Sequence, residues 1–188
     1  MFLPQPEAPG SVGIAHPEVE LRLRPDGEGV LEMRCPALMT GYHGLPEATA
    51  RAMTEDGFYI TGDVFRRDEA GLFGFVGRAD DMFNSGGENV WPSEVEAVLA
   101  RHPDVQQVVV AVPDALKGQK PVAFVVRRLG GVVSEEALKQ HALANAPAYA
   151  HPRRVWFVDA LPLAGTNKID RGALLREAME RQAMEQVA

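Results

Sequence analysis

Three short stretches hold the residues best suited to chemistry. The first is Tyr59-Ile60-Thr61-Gly62-Asp63. A strand running into Gly-Asp can present a carboxylate at a pocket rim, and a carboxylate can accept two hydrogen bonds from a vicinal diol such as a ribose. Thr-Gly-Asp also makes an ordinary turn. The second stretch is Gly77 to Glu96, GRADDMFNSGGENVWPSEVE. There Gly77-Arg78 ends a hydrophobic run and leads into the acidic pair Asp80-Asp81. Ser85-Gly86-Gly87 is a small-residue turn that permits φ > 0 and close backbone approach by a ligand, or simply reverses the chain. The third stretch is Pro162 to Arg171, PLAGTNKIDR. Its Lys168 follows small and turn-forming residues. Lysine is a mobile point charge with three donors, able to meet a carboxylate and a phosphate together. A lysine ahead of a helix is also commonly a plain surface residue.

The elements that position these residues follow from periodicity. Residues 1–18, rich in Pro and Gly, read as an irregular lead-in. Glu18 to Arg24 and Gly29 to Arg34 alternate apolar and polar and read as paired strands across a Gly-containing turn. Pro46 to Met53 reads as a short helix, and Phe58 to Thr61 as a short strand. Val64 to Arg67 and Leu72 to Val76 flank a plausible hairpin loop at Asp68 to Gly71.

Beyond Asp80 the character changes. Pro92 fits the first position of a helix reaching Arg101, with Glu94 and Glu96 near the positive end of its dipole. Val105 to Val112, Pro121 to Arg128 and Arg154 to Asp159 are apolar strands, Ser134 caps a helix ending near Asn145, and Asp170 caps the last helix. The predicted fold class is α+β: a β-rich first part, then a small α+β domain with a three-stranded sheet and about three helices.

Composition narrows the partners. In 188 residues, 19 basic and 26 acidic side chains leave a net charge of −7, which argues against nucleic acid or an anionic membrane as the main partner. A single cysteine, Cys35, leaves no internal disulfide and fits a reducing, cytoplasmic setting. No apolar run is long enough for a membrane span, and the opening MFLPQPEAPG lacks the basic flank of a signal peptide. No His/Cys cluster has metal-ligand spacing, and His43 and His102 read as structural or solvent-facing.

The string SGGENVWPSEVE, together with TGD, GRADD and the Lys168 stretch, resembles the adenylate-forming (AMP-dependent) ligases, most closely their acyl- and aryl-CoA ligase branch. The resemblance runs from about Pro9 to Arg171. It implies a two-step reaction: an acid and ATP give an acyl-adenylate and pyrophosphate, with Mg2+ serving this step, and CoA then gives acyl-CoA and AMP. It implies that Asp63 binds the ribose hydroxyls and that Arg78 lies near the same nucleotide. Asp80 becomes the hinge about which a small domain turns, and Gly86 and Gly87 line the pantetheine tunnel. Lys168 becomes the adenylation lysine. Lys117, Tyr149 and His151 match positions that touch the CoA nucleotide in some aryl-CoA ligases.

The sequence departs from the family pattern at several points. Ile60 stands where a basic residue is usual, and Phe83 and Asn84 replace an aliphatic and a basic or small residue. Asn167 stands where Gly is commoner, and His151 where an arginine is found. The family's Ser/Thr/Gly-rich phosphate loop and acyl pocket have no counterpart in this sequence. The expected division is therefore residues 1–79 as the end of the large ligase domain, 80–81 as the hinge, and 82–188 as the mobile small domain. On this reading the chain is inactive without the missing N-terminal ligase domain. Two other functions are compatible with it: a free-standing module that completes a separate large domain, or an adenylation domain serving a carrier protein.

Overall fold

The computed structural model describes residues 1–114, 118–165 and 167–187. The chain divides into two compact units, Met1–Asp80 and Asp81–Ala188.

The first unit is built on an antiparallel sheet of β3 (Glu20–Arg24), β4 (Glu28–Arg34), β5 (Tyr59–Arg67) and β6 (Phe73–Arg78), in that spatial order. Its core is Leu23, Leu31, Phe65 and Phe73. The lead-in is more ordered than its Pro- and Gly-rich composition predicts. Two-residue strands β1 (Phe2–Leu3) and β2 (Ile14–Ala15) pair antiparallel. The Phe2 ring lies 5.4 Å from the rings of both Phe65 and Phe73. Burying an aromatic side chain favours the ordered lead-in.

The outer surface of this sheet is ionic. Buried Glu32 accepts from Arg22 Nε at 2.5 Å, and Arg22 also pairs with Asp56. Arg34 pairs with Glu20. The guanidinium carbons of Arg22 and Arg34 lie 3.8 and 4.4 Å from the centroid of the buried Phe58 ring. A short helix, α1 (Pro46–Ala52), begins on a proline as predicted.

The second unit centres on β10 (Gly118–Arg127), which pairs antiparallel with β9 (Val105–Asp114) and parallel with β11 (Arg154–Phe157). Its residues alternate between two buried faces. Ala123 and Val125 join one core with Val95, Leu99 and Leu138; Val122 and Phe124 join another with Leu174 and Ala178. Burial on both faces explains why PVAFVV reads as one continuous apolar run. The core residues come from α2 (Pro92–Ala100), α3 (Glu135–Asn145) and α4 (Arg171–Val187).

The predicted caps are in place. Ser134 Oγ accepts from Ala137 N at 3.2 Å, and Asp170 Oδ1 accepts from Ala173 N at 2.9 Å. The three predicted strands are joined by two more, β7 (Phe83–Ser85) and β8 (Glu88–Val90), which make the sheet five-stranded. Three-residue strands leave too little periodicity to detect in sequence.

Candidate functional site

Thr61-Gly62-Asp63 is neither a turn nor a strand end. It lies inside β5, which runs unbroken from Tyr59 to Arg67. The pairing with β4 slips there: Val30 faces Val64, whereas Glu32 faces Ile60. Leu31 alone therefore opposes three residues. Thr61 fastens this bulge by donating its hydroxyl to Leu31 O at 2.8 Å and accepting from Asp63 N at 3.0 Å. Gly62 has φ +74°, a conformation that costs other L-residues energy. Bulges re-aim side chains next to functional sites, and this one sets the direction of Asp63.

Arg78, the last residue of β6, lies directly across from Asp63 in the ladder. Its Nη1 donates to Asp63 Oδ1 and to Thr61 O, each at 3.0 Å, and its Nε donates to Asp80 Oδ1 at 3.0 Å. Asp80 and Asp63 hold the guanidinium pKa above its ordinary value, and Arg78 in turn lowers that of Asp80. A Cβ on Gly62 would lie 2.8 Å from Arg78 Nη2, so the glycine makes room for the guanidinium as well as for the bulge. The fold thus joins three predicted residues, Asp63, Arg78 and Asp80, in one cluster. A half-exposed carboxylate beside a fixed cation can accept hydrogen bonds from a diol. Ile60 is half-buried one bulge away, opposite Glu32.

In the second unit, Gly86 and Gly87 form the loop between β7 and β8, with φ of +66° and +96°. Positive φ at both loop residues is the requirement of a type I′ hairpin. A Cβ at either position would meet nothing within 4 Å, so within this chain the glycines are required by conformation. Phe83 and Asn84 support the same hairpin. Phe83 is buried in the core, and Asn84 Oδ1 accepts from Gly87 N at 2.9 Å. Ser85, buried, donates its hydroxyl to Tyr149 O at 3.2 Å. This ties the hairpin to the 3-10 turn Ala148–Ala150, which carries the exposed Tyr149.

His151 follows that turn. Arg153 Nη1 lies 2.8 Å from its Nε2, and its Nδ1 lies 2.5 Å from Ala148 O. The same Nη1 lies 3.2 Å from Nδ1, so the guanidinium sits against both ring nitrogens. Arg153 thus supplies beside His151 the permanent charge that His151 itself lacks. In the sequence Arg153 is marked only by its position two residues after His151. Lys117 lies outside the described residues.

Lys168 is exposed at the close of a tight hairpin. Leu163 and Ile169 form an antiparallel bridge, Ala164 N donates to Lys168 O at 2.7 Å, and Asn167 N donates to Ala164 O at 2.9 Å. Asn167 has φ +61°. His102 and His141 meet edge to face with ring centroids 5.5 Å apart. Among the described residues no three His, Cys, Asp or Glu gather to hold a metal ion. No described helix is long and apolar enough to cross a membrane.

Known proteins resemble this chain in both sequence and fold. Residues 94–168 match the AMP-binding enzyme C-terminal domain. The chain is 38% identical over 156 residues to a sulfoacetate–CoA ligase of Cupriavidus necator, covering 82% of this chain and 31% of that protein. It is 38% identical over 173 residues to a 2-succinylbenzoate–CoA ligase of a Geobacillus species, covering 88% and 35%. The crystal structure of ATP-bound MatB from Rhodopseudomonas palustris superimposes with a TM-score of 0.79 at 32% identity, over 90% of this chain and 36% of that one. The chain spans about a third of the length of these relatives. It belongs to the adenylate-forming, AMP-dependent ligase superfamily and corresponds to the C-terminal portion of its members.

Proposed function

We propose that this chain is the hinge, lysine-bearing and thiol-admitting part of an ATP-dependent acyl- or aryl-CoA ligase. Residues 1–79 form the end of the large domain, 80–81 the hinge, and 82–188 the mobile small domain. The observation that carries the reading is the C-terminal-domain match over residues 94–168, which ends on the exposed Lys168.

In the first step an oxygen of the acid's carboxylate attacks the α-phosphorus of ATP and pyrophosphate leaves. Asp63 accepts the ribose hydroxyls, held in place by Arg78. The Lys168 ammonium bridges the acid's carboxylate and the α-phosphate and stabilises the charge that develops at phosphorus. Magnesium accompanies ATP in such chemistry, and no step assigned to this chain runs through it. In the second step the CoA thiolate attacks the acyl carbonyl, the C–S bond forms, and AMP leaves. Gly86 and Gly87 border the path of the pantetheine arm. Tyr149 offers a face for adenine stacking, and His151 with Arg153 offers hydrogen-bond donors and charge to a phosphate. Substrates of this kind fit a cytoplasmic location.

The test is a fusion of this chain to the N-terminal portion of the Cupriavidus necator ligase that precedes the matched segment, assayed with sulfoacetate, ATP and CoA. Pyrophosphate release and thioester formation are expected. Lys168→Ala is expected to slow adenylate formation by about 10²–10³ while sparing thioester formation from supplied adenylate. A folded fusion that binds ATP but forms no adenylate overturns the reading. Equal loss of both steps in the variant removes Lys168 from its role.

A further inference from the structure

We propose that Asn167 is a positioning residue for Lys168, acting through its backbone conformation rather than its side chain. The inference rests on the reading of Lys168 given above. Three residues link Ala164 to Lys168, and the hairpin closes through Ala164 N to Lys168 O at 2.7 Å and Asn167 N to Ala164 O at 2.9 Å. The last residue of that link, Asn167, has φ +61° and is, among the described residues, the one non-glycine at positive φ. A hairpin with three linking residues ends in this left-handed conformation, which places a bulge ahead of the returning strand. Glycine adopts it without cost, and asparagine more readily than other side chains.

The bulge decides where Lys168 points. Side chains alternate along an extended strand, so removing the left-handed residue slips the register by one and turns the neighbouring side chain to the opposite face. Ile169 would then lose its bridge to Leu163, and Asp170, which caps α4, would lose the bond from its N–H to Pro162 O at 2.9 Å. Lys168 is thus held between a hairpin and a helix cap, with Asn167 setting its direction. The Asn167 side chain is exposed, which leaves its backbone angle as the property that matters.

The experiment compares Asn167→Gly with Asn167→Val. Amide exchange at Ala164 in the 188-residue chain reads the hairpin directly, and adenylation by the fusion described above reads the lysine. Asn167→Gly is expected to match the parent in both. Asn167→Val is expected to speed exchange and to lower adenylation by roughly 5- to 30-fold, as the left-handed cost for an L-residue implies. Thioester formation from supplied adenylate is expected to stay unchanged, which separates positioning from general loss of folding. If the valine variant matches the parent in exchange and adenylation while Lys168→Ala is crippled, the positioning role is overturned and the lysine's role stands. If Lys168→Ala is fully active, the role of the lysine falls, and exchange at Ala164 still decides whether Asn167 holds the hairpin. Loss of adenylation in the glycine variant would also overturn the proposal, because it would assign the effect to the amide side chain.

Discussion

Arg78 Nε lies 3.0 Å from Asp80 Oδ1, and the same guanidinium holds Asp63 at 3.0 Å through Nη1. One cation therefore links the carboxylate proposed to read the ribose with the residue proposed as the hinge. These ion pairs are partly exposed, and such pairs contribute little stability by themselves. Their consequence is geometric, because the guanidinium has a fixed planar fork.

Gly62 should be the least replaceable residue of this cluster. Alanine there meets the left-handed backbone cost of about 1–2 kcal/mol and a guanidinium nitrogen 2.8 Å from the new Cβ. Gly62→Ala is expected to lower the urea midpoint of unfolding by an amount in keeping with that cost, and to weaken AMP binding as Arg78 shifts. Unchanged AMP affinity, measured by calorimetry on the fusion, would separate the guanidinium from the nucleotide site.

Asp80→Pro tests the hinge. Proline fixes φ near −65°, so a residue that must change its backbone angles between two half-reactions is locked into one. The expected result is retention of one half-reaction and loss of the other, measured separately as pyrophosphate release and as thioester formation from supplied adenylate. Asp80→Ala is the control, since it removes the bond to Arg78 and leaves the backbone free. Full rates for both steps in the proline variant would rule out a pivot at this residue.

Acid should act on the ionic surface of the first unit. The hydrogen bond from Arg22, aided by Thr54, holds Asp56 well below its ordinary pKa of 3.8, and Arg34 lowers Glu20 below 4.5. Both carboxylates are depressed in the folded state, so the unfolded chain binds more protons as pH falls. Their stabilisation is present above those ordinary values and is lost as pH drops through the folded values. Thermal unfolding midpoints measured from about pH 5 to about pH 2 are expected to fall. Asp56→Asn is expected to fall less steeply over the same range. Parallel curves for the two proteins would show that the Arg22–Asp56 pair does not contribute to acid sensitivity.

Much of the framework was legible in the sequence because it is local. Ser134 and Asp170 cap helices through atoms within three residues, and Pro92 opens α2 where its missing N–H costs least. The alternation of β3 and β4 and the continuous apolar run of β10 record which faces are buried. The motif residues were equally visible, since their types and spacing sit in contiguous strings. Tertiary pairing decided the rest. Whether Gly62 sits in a turn or a bulge depends on the slip against Leu31, about thirty positions earlier in the chain, a separation outside the reach of local periodicity. The place of Phe2 depends on two phenylalanines more than sixty residues away. Asn167, a departure from pattern when read as a letter, becomes the second-best residue for its position once its φ of +61° is known. The sequence by itself determined which groups are available and which short elements carry them. Only the packed chain decided which of those groups share one guanidinium, because that depends on strand register, and register is set by the side chains a strand meets across the sheet.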